Sequence, residues 1–339
     1  MKIGILTSGG DCPGINATIR GVGKTAINSY NMEVVGILNG FTGILDKNFV
    51  ELTDASLSGI LNLGGTILGT ARERVFRKML ASEDEREREA IKKAYYDLGL
   101  DCLVCIGGNG TQRTTWMLSE MGLNVVGLPK TIDNDVYGTE VTFGFDTAVN
   151  IATDAIDRLH STASSHRRVM VIELMGHHAG WITLYAGMAG GADIILLPEL
   201  GYNMKVIIDK IKSRTDAGKT YSIVAVAEGI QVHGGSTERP ANYFAREIEA
   251  QTGIETRQTV LGYIQRGGSP SPADRNLGTL LGGHAAKLIH EEKYGRMAAV
   301  INNKISDIPL SEVAGRLKLV EHDSALVEQG RLMGISFGI

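Results

Sequence analysis

Cysteine is scarce. Cys12, Cys102 and Cys105 are the only three in 339 residues, and a sparse, odd-numbered set argues against a disulfide framework and suits a reduced, cytoplasmic chain. Cys102 and Cys105 form a CxxC, but it lies inside the apolar run "DCLVCIGG" and has no second pair to complete a zinc site; both are expected as small strand residues. Charge of one sign is lacking too. The formal net charge is -4 with both signs mixed along the chain, so there is no basic domain or stripe for nucleic acid. The opening "MKIGILTSGGD" has one lysine and a short apolar run, which predicts a buried first strand rather than a signal peptide or a membrane span. Neither a nucleic-acid partner nor a membrane is expected. Internal repeats, heptads and low-complexity linkers are absent. Two nucleotide fingerprints are missing as well. "Gly21-Val-Gly-Lys-Thr25" fails as a phosphate loop because the required earlier glycine is Thr18, and no GxGxxG follows the first strand.

What is present points to an α/β protein. The length favours two domains, and 43% apolar residues can fill their cores. "KIGILTSGG", "EVVGILNG", "CLVCIGGNG", "NVVGLPKT", "RVMVIELMG", "DIILLPE" and "SIVAVAEG" are near-continuous apolar runs separated by helical stretches. A mainly parallel sheet covered on both faces requires such strands, so the expected fold is doubly wound α/β. The charged segment "SEDEREREAIKKAYYDLGL" predicts a helix with a solvated face. Residues 146–160 predict a helix that opens the second domain, and the last thirty residues are expected to be helical with a ragged end. Glycine, at 43 residues, clusters after the apolar runs, where a backbone must approach a ligand or a neighbouring element closely.

Two glycine turns at strand C-termini, "TSGGDCPG" (residues 7–14) and "IGGNGT" (residues 106–111), each precede a helical pattern. Paired turns of this kind direct backbone N–H groups and helix N-termini at a polyanion. "Pro129-Lys-Thr-Ile-Asp-Asn-Asp135" then puts two carboxylates at i, i+2 after a strand. In an extended segment both side chains point the same way, able to hold Mg²⁺ on phosphate oxygens or to take a hydroxyl proton. An Asx-rich turn is the alternative reading. Arg72, Arg167, Arg168, Arg257 and Arg266 recur in glycine-rich settings, and guanidinium forks suit phosphate bidentately. His177 and His178 are adjacent, so their side chains are expected to diverge and zinc is not expected.

With both loops, "PKTIDND", "MGHHAG" and "LGYIQRGGSP" in this order, the chain resembles the phosphofructokinases from about residue 2 to about residue 305, specifically the bacterial type of the ATP/pyrophosphate mixed-substrate subgroup. The resemblance implies two doubly wound domains with the active site in the cleft between them. The donor domain would be 1–142 plus about 256–305, and the sugar-phosphate domain 143–255 plus about 306–339. It implies phosphoryl transfer from ATP, with Mg²⁺, to the 1-hydroxyl of fructose 6-phosphate. Gly10, Arg72, Gly108, Asn109, Gly110 and Thr111 match the donor site. Asp133 matches the general base, supported by Thr131 and Asp135, the latter with Asn109 on the metal side. Met175, Gly176, His177, Glu228, Tyr263 and Arg266 match the sugar-phosphate site, with Arg168 and Arg257 arriving from a neighbouring subunit of a homodimer or homotetramer.

Four positions depart from the pattern. Asn109 replaces an acidic residue near Mg²⁺, so weaker metal affinity is expected. His177 and Tyr263 replace an arginine and a histidine of the sugar-phosphate motifs. Lys130 is typical of pyrophosphate-using relatives, which pair it with an aspartate where this chain has Gly110. ATP is therefore the expected donor and pyrophosphate the alternative; a non-catalytic regulator and a kinase for another phosphosugar are further readings. Of a bacterial effector site, Arg20 and Lys24 are retained in type while His160 stands in an arginine's place.

Overall fold

The computed structural model describes residues 1–71, 74–82, 84–232 and 237–339, with the backbone alone at Arg74 and Val75. Contacts divide the chain into two units. The first comprises Met1–Thr131, Val136–Asp146 and Arg266–Leu317, the second Ile132–Asp135, Thr147–Gln265 and Lys318–Ile339.

The first unit runs β1 (Lys2–Ser8), α1 (Ile15–Tyr30), β2 (Glu33–Ile37), α2 (Thr42–Leu45), β3 (Phe49–Glu51), α3 (Arg74–Leu80), α4 (Glu85–Asp97), β4 (Cys102–Gly107), α5 (Asn109–Glu120) and β5 (Val125–Pro129). The chain continues through α6 (Phe145–His166), β6 (Val169–Leu174), α7 (Trp181–Ala189), β7 (Ile194–Leu196), α8 (Met204–Asp216), β8 (Ser222–Ala227), α9 (Pro240–Thr252) and β9 (Thr256–Val260). It then returns to the first unit with α10 (Pro272–His290), β10 (Arg296–Ile301), β11 (Lys304–Pro309) and α11 (Leu310–Val313), and ends on α12 (Ala325–Leu332).

The seven-stranded sheet has the order β11-β10-β5-β4-β1-β2-β3. It is parallel except for antiparallel β3 and β11 at its edges. β4 and β5 are buried along their whole length, as strands covered on both faces must be, and their apolar run carries Cys102 and Cys105 into the core. Burial pushes the Cys102 thiol well above its ordinary pKa, so this CxxC is packing, as the sequence predicts. The second sheet, β7-β8-β6-β9, is parallel throughout. Its core gathers Val171, Ile194, Ile207, Val224 and Phe244.

The "GVGKT" stretch has a structural explanation. Gly21 lies in α1 where it meets α10, and a Cβ there would come within 2.8 Å of the Thr279 carbonyl. On the facing helix a Cβ at Gly282 would lie 2.6 Å from the Thr18 carbonyl. These glycines let two helices meet backbone to backbone. The start of α10 is fixed by Ser271, whose hydroxyl accepts from the Asp274 amide at 3.2 Å, followed by Pro272 at the first helical position. Asp274, 1% exposed, in turn accepts from the Gly144 amide at 2.8 Å and so ties the start of α6 to α10.

Three expectations need correction. Residues 256–265 belong to the second unit rather than the first, because β9 hydrogen-bonds along β6. Residues 306–317 belong to the first, because β11 pairs with β10. The last thirty residues hold only the short helices α11 and α12; Gly315 and Gly334 at positive φ interrupt them, and Ser336 bridges to Ile194 at the edge of the second sheet. Among the described residues no helix is long and apolar enough to cross a membrane.

Gly282→Ala tests the helix contact. Alanine gains about 1 kcal/mol of helix propensity, but the new methyl meets backbone that no rotamer change can move, and overpacking of this kind costs about 1–3 kcal/mol. A net loss of about 1 kcal/mol is expected as a lower urea midpoint by circular dichroism; a midpoint at or above that of the parent would contradict the contact.

Candidate active site

Three neighbouring strands of the first unit end along one edge. β1 and β4 are parallel neighbours in register Thr7 with Ile106 and Ser8 with Gly107, and β5 follows with Gly107 opposite Pro129. From β1 the chain moves to β2 and β3 on one side, then to β4 on the other. The two glycine turns therefore leave the sheet side by side at a topological switch point, where open α/β sheets bind ligands.

Each turn needs its glycines. Gly9 has φ 86°; its amide donates to the Ala71 carbonyl at 3.2 Å and its carbonyl accepts from Thr70 Oγ1 at 2.7 Å. The Arg266 guanidinium lies against Gly10 where a Cβ would be. The Lys130 ammonium, on a side chain only 4% exposed, donates to the Gly10 carbonyl. Gly107 sits so close to Thr111 that any side chain would overlap it. Gly108 is the N-cap of α5 and accepts from the Thr111 and Gln112 amides at 2.8 and 3.0 Å. The helix thus begins at Asn109, directly at the strand end, with its first-turn amides and positive dipole end at the turn. Gln112 locks the base of the turn, its amide donating to the Gly107 and Leu128 carbonyls at 2.8 Å each.

Arg77 was missed by sequence reasoning. Its guanidinium covers Gly110, with Nη2 2.8 Å from the position of a Cβ there. The available signal was a third arginine five residues after Arg72 in "ARERVFR". Arg72 itself lies outside the described residues.

From Lys130, which bridges to Phe143, the chain passes Thr131, whose carbonyl accepts from Thr142 Oγ1 at 2.8 Å, and enters the second unit at Ile132. The segment is not extended. Asn134 is left-handed, φ 52°, so the i, i+2 alternation expected for Asp133 and Asp135 does not apply. Asn134 and Asp135 are 4% and 6% exposed. Asn134 Oδ1 accepts from Lys318 Nζ at 2.9 Å, and the Asp135 carbonyl accepts from the Lys318 amide at 2.9 Å.

No group of three or more His, Cys, Asp or Glu able to hold a metal exists among the described residues. The Asp133 and Asp135 carboxylates are oxygen donors of the kind Mg²⁺ takes, an ion that keeps several of its waters and completes its shell from phosphate.

In the second unit, β6 and β8 are parallel neighbours. Their ends present Met175-Gly176-His177 and Glu228. Glu228 Oε1 accepts from the Gly176 and His177 amides at 3.3 and 3.0 Å, so one carboxylate oxygen holds the whole turn. Gly176, at φ 153°, leaves no room for a side chain against the Ala179 carbonyl. A cavity of about 290 Å³ opens beside Glu228, bordered also by Glu173 and Arg239. The His177 and His178 rings do not diverge. The left-handed His177, φ 53°, turns the backbone so that the ring centroids lie 3.8 Å apart.

Arg168 and Arg257 are not brought to this turn. They sit at the opposite end of the same strands, Arg168 before β6 and Arg257 early in β9, roughly 20 Å along the sheet from Met175. Both bind Glu255: Arg168 Nε at 2.7 Å, Arg257 through Nη2. Tyr263, 73% exposed, lies in the 3-10 turn after β9. Arg266, expected with the sugar-phosphate residues, belongs to the first unit with Gly10. Of the effector residues, Lys24 pairs with Asp54 at 2.7 Å, and both His160 ring nitrogens are engaged, with the Tyr221 hydroxyl at 3.1 Å and the Gly190 carbonyl at 2.6 Å.

Known proteins are similar to this chain over most of its length. The family profile described as Phosphofructokinase matches residues 2–289. ATP-dependent 6-phosphofructokinase 3 of Bacteroides thetaiotaomicron is 63% identical, with 100% of both chains covered. The ATP-dependent 6-phosphofructokinase of Spirochaeta thermophila is 51% identical over 99% of this chain and 97% of its own length. Among solved structures, phosphofructokinase from Saccharomyces cerevisiae superposes with a TM-score of 0.81 at 32% identity over 92% of this chain; the match spans 45% of the yeast chain. On a full-length sequence match and a shared fold, the chain belongs to the phosphofructokinase family.

Proposed function

We propose that the chain transfers the γ-phosphoryl group of ATP to the 1-hydroxyl of fructose 6-phosphate, giving fructose 1,6-bisphosphate and ADP in glycolysis in the cytoplasm. The observation that carries this reading is the set of groups at the switch point: two glycine turns, the N-terminus of α5, Lys130 and Arg266 against Gly10, leading straight into Thr131 and Asp133. Phosphoryl transfer asks mainly for positioning and charge neutralisation, and this edge is rich in both.

Asp133 accepts the proton of the sugar hydroxyl. The hydroxyl oxygen forms a bond to the γ-phosphorus as the bond to the ADP oxygen breaks, and the proton stays on the Asp133 carboxyl until product release. Turn amides at Gly10 and Gly108 to Gly110, with the Thr111 side chain, bind the phosphates, with Arg72 and Arg77 neutralising charge beside them. Asp135 and Asn109 would hold Mg²⁺, which would supply further charge neutralisation when bound. Met175, Gly176, His177, Glu228, Tyr263 and Arg266 bind the sugar phosphate. Arg168 and Arg257 serve the site of a neighbouring copy, which makes the enzyme a homodimer or homotetramer; their distance from Met175 along β6 supports this.

The names of the two full-length relatives support ATP as donor. So does Gly110, which leaves Arg77 uncontested; an aspartate there would pair with that guanidinium. A specific observation keeps pyrophosphate as the second reading: the buried Lys130 ammonium at the Gly10 carbonyl is a cation suited to a compact polyphosphate.

Asp133→Asn is expected to lower kcat by about a thousandfold while fructose 6-phosphate still binds by calorimetry; turnover within tenfold of the parent would remove Asp133 from the base role. Initial rates should favour ATP over pyrophosphate at equal concentration, and Gly110→Asp should narrow that preference. A parent faster with pyrophosphate would reverse the donor assignment. Shared sites predict complementation: mixing inactive Asp133→Asn with inactive Arg257→Ser subunits should restore part of the activity, whereas a mixture as dead as its components would keep Arg257 out of a neighbour's site.

A further inference from the structure

The last part of the chain, expected only to be helical with a ragged end, holds the segment that carries Asp133. We propose that Lys318 is a positioning residue for the reaction, fixing Asn134 and Asp135 and through them the orientation of the Asp133 carboxylate. The inference rests on the reading of Asp133 as the proton acceptor.

Two bonds from one residue bracket the segment. Lys318 Nζ donates to Asn134 Oδ1 at 2.9 Å, and the Lys318 amide donates to the Asp135 carbonyl at 2.9 Å. Asn134 is in the left-handed region, which a non-glycine residue keeps where its surroundings hold it. Just upstream in the strand direction, Leu317 and Val136 form an antiparallel bridge, so the two stretches run side by side.

Lys318 is itself held. Trp181 Nε1, at the start of α7, donates to its carbonyl at 2.9 Å, and its ammonium lies 5.5 Å from the centre of a Trp181 ring. Two residues on, the Val320 amide donates to Glu199 Oε1 at 3.0 Å, the oxygen that also accepts from the Gly180 amide at 2.8 Å. His322 Nε2 meets the Glu199 carbonyl at 3.0 Å. The strap 318–322 is thus fastened to the first turn of α7 and to the loop after β7. A reacting carboxylate needs such a supporting shell, since small misplacements lose large factors in rate.

A strap that only anchored the C-terminus would affect stability and leave turnover intact. Lys318→Met keeps the apolar stem over Trp181 and removes the ammonium. Asn134→Gly removes the acceptor while tolerating positive φ. For each, kcat is expected to fall about tenfold or more with KM for both substrates within about twofold. The double variant should lose no more than the worse single one, because both act through one bond, and Lys318→Arg should recover part of the loss. A kcat within twofold of the parent, losses that multiply, or a rise in KM alone would overturn the proposal; should Lys318→Met fail to fold, Asn134→Gly alone decides it by the same criteria. Asp133→Asn measured alongside separates the two failures. If it is inactive while Lys318→Met turns over normally, only the positioning role falls; if it turns over normally, the base assignment falls and the positioning role with it.

Discussion

Parallel pairing of β1 with β4 is the constraint on which the glycine turns of the first unit depend. Parallel strands in one sheet all finish at the same edge, so whatever follows them emerges together. Here Ser8 stands opposite Gly107 and Gly107 opposite Pro129. That register brings Gly9, Gly10, Gly108 and Lys130 to one line although they are far apart in sequence. The short β-turn-α connection then starts α5 at the strand end and aims its amides outward. Antiparallel pairing would have sent alternate turns to opposite edges.

The second unit uses the same geometry with a different clamp. At the ends of β6 and β8, a single carboxylate oxygen of Glu228 gathers two backbone amides and sets the Met175 to His177 turn. The strand starts carry a separate group, Arg168 and Arg257 joined through Glu255. One sheet therefore offers two chemically distinct ends, one built of backbone and carboxylate, the other of guanidinium.

Much of this was legible from sequence. Continuous apolar runs announced the buried parallel strands, and glycine after each run announced a turn at which backbone must come close to something. The two aspartates around Asn134 stood out too, but the Asx-rich turn was the alternative reading, and the segment does turn at Asn134. What escaped depends on contacts remote in sequence. Lys318 meets Asn134 across 184 residues, and nothing near either one signals the other. Arg77 was hidden in a charged helix where a surface role is the ordinary reading. The left-handed turns at Asn134 and His177 defeated rules that assume extended or evenly spaced side chains. The unit crossings at 265 and 317 were misplaced because sheet membership of β9 and β11 is decided by pairing, which composition does not encode.

The order in which the strands are made differs from the order in which the sheets are completed. The chain leaves the first unit after Asp146, returns at Arg266, and supplies β10 and β11 only between Arg296 and Pro309. During synthesis the four-stranded sheet can close as soon as Val260 has emerged, while the seven-stranded sheet, begun at Lys2, must wait for its last two members. From the end of β5 at Pro129 until β10 pairs at Arg296 and Met297, the β5 edge stands open to other strands.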